Sequence, residues 1–243
     1  MKVIKLDAIP STNDFLKELS RTEFVENFTV VTAKKQFQGK GQMGRSWVSV
    51  EGKNLTMSVL IKNNFQDITE IFDLNVAVAI SVIEVLNDLN LPKINIKWPN
   101  DIMSENKKIG GILIENTFKT DNSVISVVGI GLNVNQQDFT NLPKASSLYQ
   151  ITNSEFDLDV LLEKIVNQLK FNSDVLQKNE SEILWKKYHE NLFKLNSPMP
   201  FEDSEGKQFM GMIQKVNKNG QVEILLEDDS VQSFRIKEIT MLF

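Results

Sequence analysis

A glycine-rich stretch, residues 36–47, carries the side chains best suited to binding an anion. It reads Gln-Phe-Gln-Gly-Lys-Gly-Gln-Met-Gly-Arg-Ser-Trp and so contains three glycines. Glycine lets a backbone approach a phosphate closely, and the N–H groups can then donate to its oxygens. Lys40 and Arg45 place positive charge beside those amides. The stretch therefore predicts a site for an anionic group, most simply a phosphate.

Two phosphate-binding patterns match this stretch by letter. Gly39, Gly41 and Gly44 have the spacing of the dinucleotide fingerprint, and the same run resembles a Walker loop with Arg45 in place of lysine. Both mechanisms require a helix that begins at the loop and points its N-terminus at the phosphates. Because residues 47–52 are typical of a strand or turn, we reject both. A flexible surface loop is the alternative, and the concentrated charges and amides argue against it.

Two further stretches combine glycines with polar side chains. Residues 107–115 contain Lys108 followed by Gly110 and Gly111, and residues 129–135 contain two glycines followed by amides, among them Asn133. Adjacent glycines weaken a strand but are tolerated where another group passes close to its backbone. Lys108 would then point at that group. A solvated lysine at a hairpin end is the alternative, and it leaves the glycines unexplained.

Two shorter motifs have structural explanations of their own. Residues 97–101, Lys-Trp-Pro-Asn-Asp, end a predicted strand, and a packed strand end explains them as well as a site around Asn100 does. Ser11, Thr12 and Asn13 are short polar residues at a predicted helix start, where Ser11 is a plausible N-cap. Neither motif requires a function when it is taken alone.

The composition excludes several classes of chemistry. The 243 residues contain no cysteine and one histidine, which removes disulfides, thiol nucleophiles and cysteine-based zinc sites. His189 lies beside Tyr188 in a predicted helix, and we assign it no catalytic role. The net charge of −5 argues against a general polyanion binder. No segment reads as a membrane span or a signal peptide, so we expect a cytoplasmic protein.

The elements that must position these residues follow from the hydrophobic periodicity. Strands are predicted over residues 3–9, 29–33, 54–62, 93–98, 108–117 and 123–135, and helices from Ser11 and over residues 67–89, 158–171 and 175–193. The turns between the last three strands are short. Short turns imply antiparallel neighbours, because a parallel crossover needs a dozen or more residues.

The fold class predicted is α/β (α+β), with a mixed, largely antiparallel sheet and helices on a face. After residues 196–198, Asn-Ser-Pro, the pattern changes to short strands separated by turns. This change favours a small C-terminal β-barrel. We expect two domains, residues 1–195 and residues 196–243.

In their order along the chain, these motifs resemble those of biotin–protein ligases, which attach biotin to carboxylase carrier domains. The matching stretches are residues 11–13, 39–47, 97–101, 108–113, 129–133 and 145–148. The resemblance implies a catalytic domain like that of class II aminoacyl-tRNA synthetases, followed by an SH3-like domain. It also implies a two-step reaction. Biotin and ATP form biotinyl-5′-AMP and pyrophosphate, and a lysine of the carrier domain then attacks the mixed anhydride and releases AMP.

The resemblance also assigns roles to individual residues. Residues expected to bind biotin are Ser11, Thr12, Asn13, Gln36, Gly39, Lys40, Gly41, Gln42, Lys108 and Gly111. Residues expected to bind the nucleotide are Arg45, Trp47, Asn100 and Asn133. Lys108, Arg45 and Lys40 are the expected catalytic residues, because they would neutralise carboxylate and phosphate charge. Mg²⁺ would accompany ATP, and no side chain is predicted as a metal ligand.

The chain departs from the family pattern in two respects. The family loop often has an arginine between its second and third glycines, where this chain has Gln42 and Met43, so Arg45 and Lys40 must supply more of the charge. Some members carry an N-terminal winged helix that represses transcription, whereas here the first motif begins at Ser11. We therefore expect no DNA binding. A biotin carboxyl carrier domain is the expected partner, and a homodimer stays open.

Two other classes of function remain as alternatives. A lipoate–protein ligase would use the same chemistry on a longer apolar acid, although residues 97–101 and the C-terminal barrel favour biotin. A non-enzymatic protein, either a biotin-binding sensor or a nucleic-acid-binding barrel, is the second alternative. The net negative charge argues against nucleic acid.

Overall fold

A seven-stranded sheet forms the centre of the larger part of the molecule. The structure is a computed structural model that describes residues 1–63, 70–119 and 123–242. The strands of this sheet are β1 (Val3–Ile9), β2 (Val30–Gln36), β3 (Leu55–Asn63), β4 (Ile94–Lys97), β5 (Asp101–Ser104), β6 (Lys107–Phe118) and β7 (Val124–Leu132). Their order is β1-β2-β3-β7-β6-β5-β4. The β1–β2 pair is parallel and the other neighbouring pairs are antiparallel, which confirms a mixed, largely antiparallel sheet.

The register of this sheet separates an apolar face from a face of small and polar residues. One row across four strands consists of Thr56, Gly131, Gly111 and Asp101, and the next contains Ser58, Gly129 and Leu113. The alternate positions are large apolar residues that join the main hydrophobic core, among them Met57, Ile102, Ile112 and Ile130. Because side chains alternate along a strand, Gly111, Gly129 and Gly131 lie on one face. Gly110, which pairs with Leu132, lies on the apolar face.

The helices cover the apolar face and one end of the sheet. They are α1 (Thr12–Thr22), α2 (Glu70–Asn87), α3 (Leu148–Thr152), α4 (Leu158–Gln177) and α5 (Ser181–Glu190). Helix α2 packs against α4 and α5 and against the sheet, and it is buried around most of its circumference, as expected for a helix enclosed on several sides. The prediction for α2 began at residue 67, and residues 67–69 lie outside the described residues.

The helix boundary predicted between residues 171 and 175 is wrong. Helix α4 continues through this region to Gln177, and α5 begins only at Ser181. Asn172 and Ser173 suggested a break, but both point inward and are buried. The Asn172 Nδ2 group donates to the Ser81 hydroxyl at 2.9 Å, so a polar residue that weakens an exposed helix connects two packed helices here. Strand β5 and helix α3 were not predicted.

The C-terminal part is a five-stranded antiparallel sheet. Its strands are β8 (Pro198–Asp203), β9 (Gln208–Val216), β10 (Val222–Leu226), β11 (Val231–Phe234) and β12 (Ile239–Met241), in the order β11-β10-β9-β8-β12. The edge strands β11 and β12 are joined only by residues 235–238, where the Glu238 N–H bonds to the Arg235 carbonyl at 3.1 Å. Flat edges would lie about 19 Å apart at about 4.8 Å per strand. A hydrogen-bonded turn of four residues cannot span that distance, so the sheet curls into a small barrel.

Several hydrogen bonds and ion pairs tie this barrel to the rest of the chain. The Trp98 indole N–H donates to the Gly220 carbonyl at 2.9 Å. His189 lies with Nε2 2.9 Å from the Val216 carbonyl and Nδ1 2.9 Å from the Trp185 carbonyl, which gives it a packing role. Among the described residues, no helix combines the length and hydropathy of a membrane span.

Candidate active site

A cavity lies between the glycine-bearing face of the large sheet, the 36–47 stretch and the C-terminal barrel. It brings together twelve of the residues singled out from the sequence, which come from four separate stretches of the chain. They are Ser11, Thr12, Asn13, Gln36, Lys40, Gly41, Gln42, Arg45, Trp47, Asn100, Lys108 and Gly111. Gly39 and Asn133 are not part of its lining.

At one side of the cavity, the start of α1 is fixed by neutral hydrogen bonds. Ser11 caps the helix, with its hydroxyl accepting from the Asp14 N–H at 3.3 Å. Gln36 Oε1, at the end of β2, accepts from the Thr12 N–H at 2.8 Å and from the Thr12 hydroxyl at 3.1 Å. The N-cap that the sequence predicted therefore also orients the next residue toward the cavity.

Ser58 and Asn13 extend this arrangement across the sheet. The Ser58 hydroxyl donates to Asn13 Oδ1 at 2.5 Å and lies 2.7 Å from the Thr12 hydroxyl oxygen. Asn13 Nδ2 donates to Glu115 Oε2 at 3.0 Å. A Cβ at Gly129 would lie only 2.5 Å from Asn13 Oδ1, so glycine is required where Asn13 crosses the strand. Thr12, Asn13 and Gln36 line the cavity, and Ser58 supports Thr12 and Asn13 from outside the lining. We call these four residues the polar end of the cavity.

The 36–47 stretch forms a short hairpin over the cavity. The Trp47 N–H donates to the Gly39 carbonyl at 2.8 Å, and the Gly41 N–H donates to the Arg45 carbonyl at 2.7 Å. A single 3₁₀ turn, Gln42–Gly44, closes the tip, where Met43 has φ of 63°. A strand-like segment rather than a helix follows it, which confirms the rejection of the dinucleotide and Walker patterns. The role of Gly39 here is to close the hairpin.

The Trp47 indole also approaches the backbone of β7 closely. A Cβ at Gly131 would lie 2.5 Å from Trp47 Cε2, so only glycine accommodates the indole here. The Trp47 Nε1 group is buried and has no hydrogen-bond partner among the described residues. The indole lies in the cavity lining.

Charged side chains occupy the other side of the cavity. Lys108 Nζ lies 2.5 Å from Asp101 Oδ1, with side chains 37% and 20% exposed, respectively. Lys97 and Arg45 line the same region. Burial, opposed by the nearby Asp101 carboxylate and reinforced by the neighbouring cations, lowers the pKa of Lys97 below its usual value. We call Arg45, Lys97, Asp101 and Lys108 the cation end.

The segment 144–146 holds the backbone of Lys108 in place. The Lys108 N–H donates to the Lys144 carbonyl at 2.8 Å, and the Lys108 carbonyl accepts from the Ser146 N–H at 3.0 Å. This gives the 145–148 motif a structural role. Lys108 is therefore fixed on both sides of its backbone while its side chain reaches the cavity.

Lys40 differs from the other cations because a carboxylate already pairs with it. Its Nζ lies 2.7 Å from Asp14 Oδ2 at an exposed position. The hydrogen bond that Lys40 donates to the Asp14 carboxylate raises the pKa of Lys40 above its usual value, so Lys40 stays protonated. Much of its charge is directed at Asp14 in this arrangement.

The two predicted nucleotide ligands with amide side chains make structural hydrogen bonds. Asn100 Nδ2 donates to the Ile112 carbonyl at 2.7 Å, and Asn133 Nδ2 donates to the Ser146 carbonyl at 3.0 Å. Asn100 still lines the cavity, whereas Asn133 is buried behind it. Contact of either residue with a nucleotide stays a prediction.

Several residues that line the cavity have no role predicted from the sequence. Asp101 and Lys97 belong to the 97–101 motif, and their types could have signalled an ion-binding cluster. Thr56 lies in an alternating strand that offers no such signal. The barrel contributes Ile236, Lys237, Thr240 and Met241, which no local pattern connects with a site about 100 residues or more away in sequence.

The sequence of this chain is also similar to a known protein family. A model described as the biotin/lipoate A/B protein ligase family matches residues 6–135, just over half of the chain. The chain therefore belongs to the biotin/lipoate A/B protein ligase family.

Individual relatives agree with this membership. The chain is 34% identical over 164 residues to "Bifunctional ligase/repressor BirA" of Bacillus subtilis (strain 168), a match that covers 66% of this chain and 50% of the relative. It is 26% identical over 231 residues to the protein of the same name from Escherichia coli (strain K12), covering 94% and 70%, respectively. The chain thus spans about half the length of the Bacillus relative.

Solved structures show the same fold over the whole chain. The biotin protein ligase from Aquifex aeolicus, determined in complex with biotin and ATP, superposes with a TM-score of 0.80 at 26% identity. That match covers 99% of this chain and 98% of the other. The Leishmania major biotin protein ligase, in complex with biotinyl-5-AMP, has a TM-score of 0.65 at 22% identity, which supports the fold alone.

Proposed function

We propose that this chain is a biotin–protein ligase, which activates biotin with ATP to biotinyl-5′-AMP and transfers biotin to a lysine of a biotin carboxyl carrier domain. The observation that carries the proposal is the pairing of a neutral polar end with a cation end in one cavity. Biotin has this same division, since a neutral ureido ring lies at one end and a carboxylate at the other. The names of the relatives and of the Aquifex structure support the assignment.

In the first step, a biotin carboxylate oxygen attacks the α-phosphorus of ATP, and the bond to the bridging oxygen breaks to release pyrophosphate. Both reactants are anions, so their approach is opposed by charge repulsion. Lys108 and Arg45 would reduce this repulsion and stabilise the charge that develops on the phosphorus oxygens. The polar end would hold the ureido ring so that the carboxylate stays at attacking distance.

In the second step, the neutral amine of a carrier lysine attacks the carbonyl carbon of the mixed anhydride. An amide bond forms, the bond to the phosphate oxygen breaks, AMP leaves, and the amine loses a proton. Water would hydrolyse the same anhydride. The 39–47 hairpin and the barrel residues around the cavity would restrict its access.

Magnesium would enter with the triphosphate. The described residues contain no cluster of three or more His, Cys, Asp or Glu side chains that could hold a metal ion. We therefore propose no resident metal ion, and nucleotide oxygens and water would be the ligands of the magnesium that accompanies ATP.

The proposal extends to the organisation and setting of the protein. Residues 1–195 would form the catalytic domain and residues 196–243 a separate small domain that completes the cavity. We also propose that the protein acts in the cytoplasm, where ATP and carrier domains are available. A homodimer is compatible with the exposed edge strand β1.

An ATP–pyrophosphate exchange assay tests the first step. We expect exchange of label from pyrophosphate into ATP that requires biotin and Mg²⁺. Because the family also includes lipoate ligases, lipoate should be tested alone and as a competitor. Exchange supported by lipoate and not by biotin would replace this proposal with the lipoate ligase. Biotin binding without any exchange would indicate a binding protein.

A further inference from the structure

We infer that Asp101 is a positioning residue whose carboxylate holds the Lys108 ammonium on the substrate side of the sheet and sustains the positive charge of the cation end. The inference rests on the proposed function, because it assigns Asp101 a part in the adenylation step. Asp101 belongs to the 97–101 motif, in which the resemblance assigned a role only to Asn100, as a nucleotide ligand.

A bulge in β6 is what brings Lys108 to the cavity face. Lys108 and Gly111 are three residues apart, so in a regular strand their side chains would point to opposite faces. Asp101 pairs with Gly111, Ile102 with Gly110, and Met103 with Lys108. Ile109 is therefore the extra residue, and the bulge turns Lys108 onto the face that carries Asp101 and Gly111.

The ion pair then fixes the lysine at one point on that face. Asp101 Oδ1 lies 2.5 Å from Lys108 Nζ, and a Cβ at Gly111 would lie 3.4 Å from the same Nζ. The lysine side chain thus folds back over Gly111, toward the middle of the cavity. An ammonium group has three N–H donors. One directed at Asp101 leaves two for oxygens of a bound carboxylate or phosphate.

Asp101 is also the carboxylate that balances the cations around Lys97. The charged groups that act on Lys97 are Asp101, which raises its pKa, and Lys108, Arg45 and Lys144, which lower it together with burial. Removing the carboxylate would leave these cations to repel one another. Lys97 would then lose its proton at a lower pH, and the site would have fewer positive charges for two anionic substrates.

Asp101→Asn is the variant that separates charge from shape. The carboxamide keeps the size of the side chain and can still accept a hydrogen bond from Lys108, but it has no negative charge. We expect kcat for biotin-dependent adenylation to fall about tenfold to a hundredfold, as when a group that orients an active-site residue is removed. The KM for biotin should change less than about threefold, because the polar end is untouched. Asp101→Glu should restore part of the rate.

The dependence of the adenylation rate on pH distinguishes a loss of charge from a general loss of packing, because a packing defect alone would not shift this profile. Since Asp101 raises the pKa of Lys97, its removal lowers that pKa further. The alkaline limb of the rate profile should therefore shift to lower pH in Asp101→Asn. Asp159→Asn is the matched control, because it removes the carboxylate of an exposed pair with Lys5 at 2.8 Å outside the cavity. We expect the control to match the wild type in rate and profile.

The outcomes distinguish this inference from the proposed function. If the wild type shows no biotin-dependent exchange, the proposed function fails whatever the variants do. If the wild type is active and Asp101→Asn matches it in kcat and in the alkaline limb, the positioning role is wrong. The positioning role would also be wrong if Asp101→Asn lost rate only in parallel with a lowered thermal unfolding temperature and its alkaline limb did not shift. An alkaline limb shifted to lower pH in Asp101→Asn, with an unchanged thermal unfolding temperature, supports the positioning role.

Discussion

The polar end and the cation end of the cavity are constructed in different ways. At the polar end, Ser58 and its neighbours are buried, uncharged and hydrogen-bonded to one another. At the cation end, Lys108 is partly exposed and its charge is balanced by a single carboxylate. Burial of the first group fixes its geometry, because an unsatisfied polar atom there is costly. The second group keeps donors and charge available to anions.

This contrast indicates a division of labour between recognition and chemistry. A rigid, neutral arrangement suits a ring that does not react, and it should act equally on the ground state and the transition state. Charged groups should act most strongly where negative charge develops. We therefore expect substitutions at the polar end to change KM for biotin and substitutions at the cation end to change kcat.

The largest effect is expected from Lys108→Ala. Loss of an ammonium that stabilises developing charge should lower kcat for adenylation by about 10²–10³. The thermal unfolding temperature should change little, because the side chain is 37% exposed and contributes little to the core. Steady-state kinetics and differential scanning calorimetry on the same preparation measure both quantities.

Lys107→Ala is the matched control for this variant. Lys107 precedes Lys108 in β6, is exposed, and its ammonium donates to the Pro143 carbonyl rather than into the cavity. We expect the control to retain its rate. Equal losses of rate in the two variants, or a rate loss in Lys108→Ala that matches its loss of stability, would contradict the assignment of Lys108 to chemistry.

A smaller effect, on KM rather than kcat, is expected from Ser58→Ala. The substitution removes the hydroxyl that joins Thr12 to Asn13 and leaves buried acceptors unsatisfied. Stability should fall by about 1–3 kcal/mol, and KM for biotin should rise about tenfold as the pocket loses its fixed geometry. Denaturant titration and biotin-dependent kinetics provide the two measurements.

Ser126→Ala controls for the loss of a buried serine as such. Ser126 is equally buried, and its hydroxyl donates to Asn116 Oδ1 at 2.7 Å outside the cavity. It should lose comparable stability with an unchanged KM. If Ser58→Ala also leaves KM unchanged, the polar end does not recognise biotin.

The smallest effect is expected from Lys40→Ala. Asp14 already pairs with this lysine at an exposed position, where an ion pair contributes about 1 kcal/mol or less. We expect kcat to fall about threefold at most. Arg45→Ala should cost more, because Arg45 has no ion pair among the described residues. A loss in Lys40→Ala as large as that in Lys108→Ala would show that the pair with Asp14 breaks during the reaction.

The sequence predicts those features of the polar end and the cation end that depend on local structure. Ser11 is found as a helix cap from its neighbours alone, and the glycines after Lys108 signal a close approach to the strand. The role of Ser58 has no local signal, because it appears only when β3 pairs with β7. The same holds for Asp101, since strand periodicity would place Lys108 on the opposite face without the bulge at Ile109.

Errors in the fold have the same physical origin. Asn172 suggests a helix end because its side chain competes for backbone hydrogen bonds, but its Nδ2 group donates to Ser81 on α2 while α4 continues unbroken. The barrel was predicted from its turns and short strands. Its contribution to the cavity was not, because contacts between distant parts of the chain leave no periodic pattern in the sequence.

Transfer of biotin to a carrier domain is the most direct measure of the proposed activity. The protein should be incubated with a purified biotin carboxyl carrier domain, biotin, ATP and Mg²⁺, and the carrier analysed by intact mass spectrometry. The account predicts a gain of one biotinyl group, which requires ATP and disappears when the acceptor lysine is replaced by arginine. A carrier that gains no mass in the presence of biotin, while the same protein lipoylates a lipoyl domain, would contradict it.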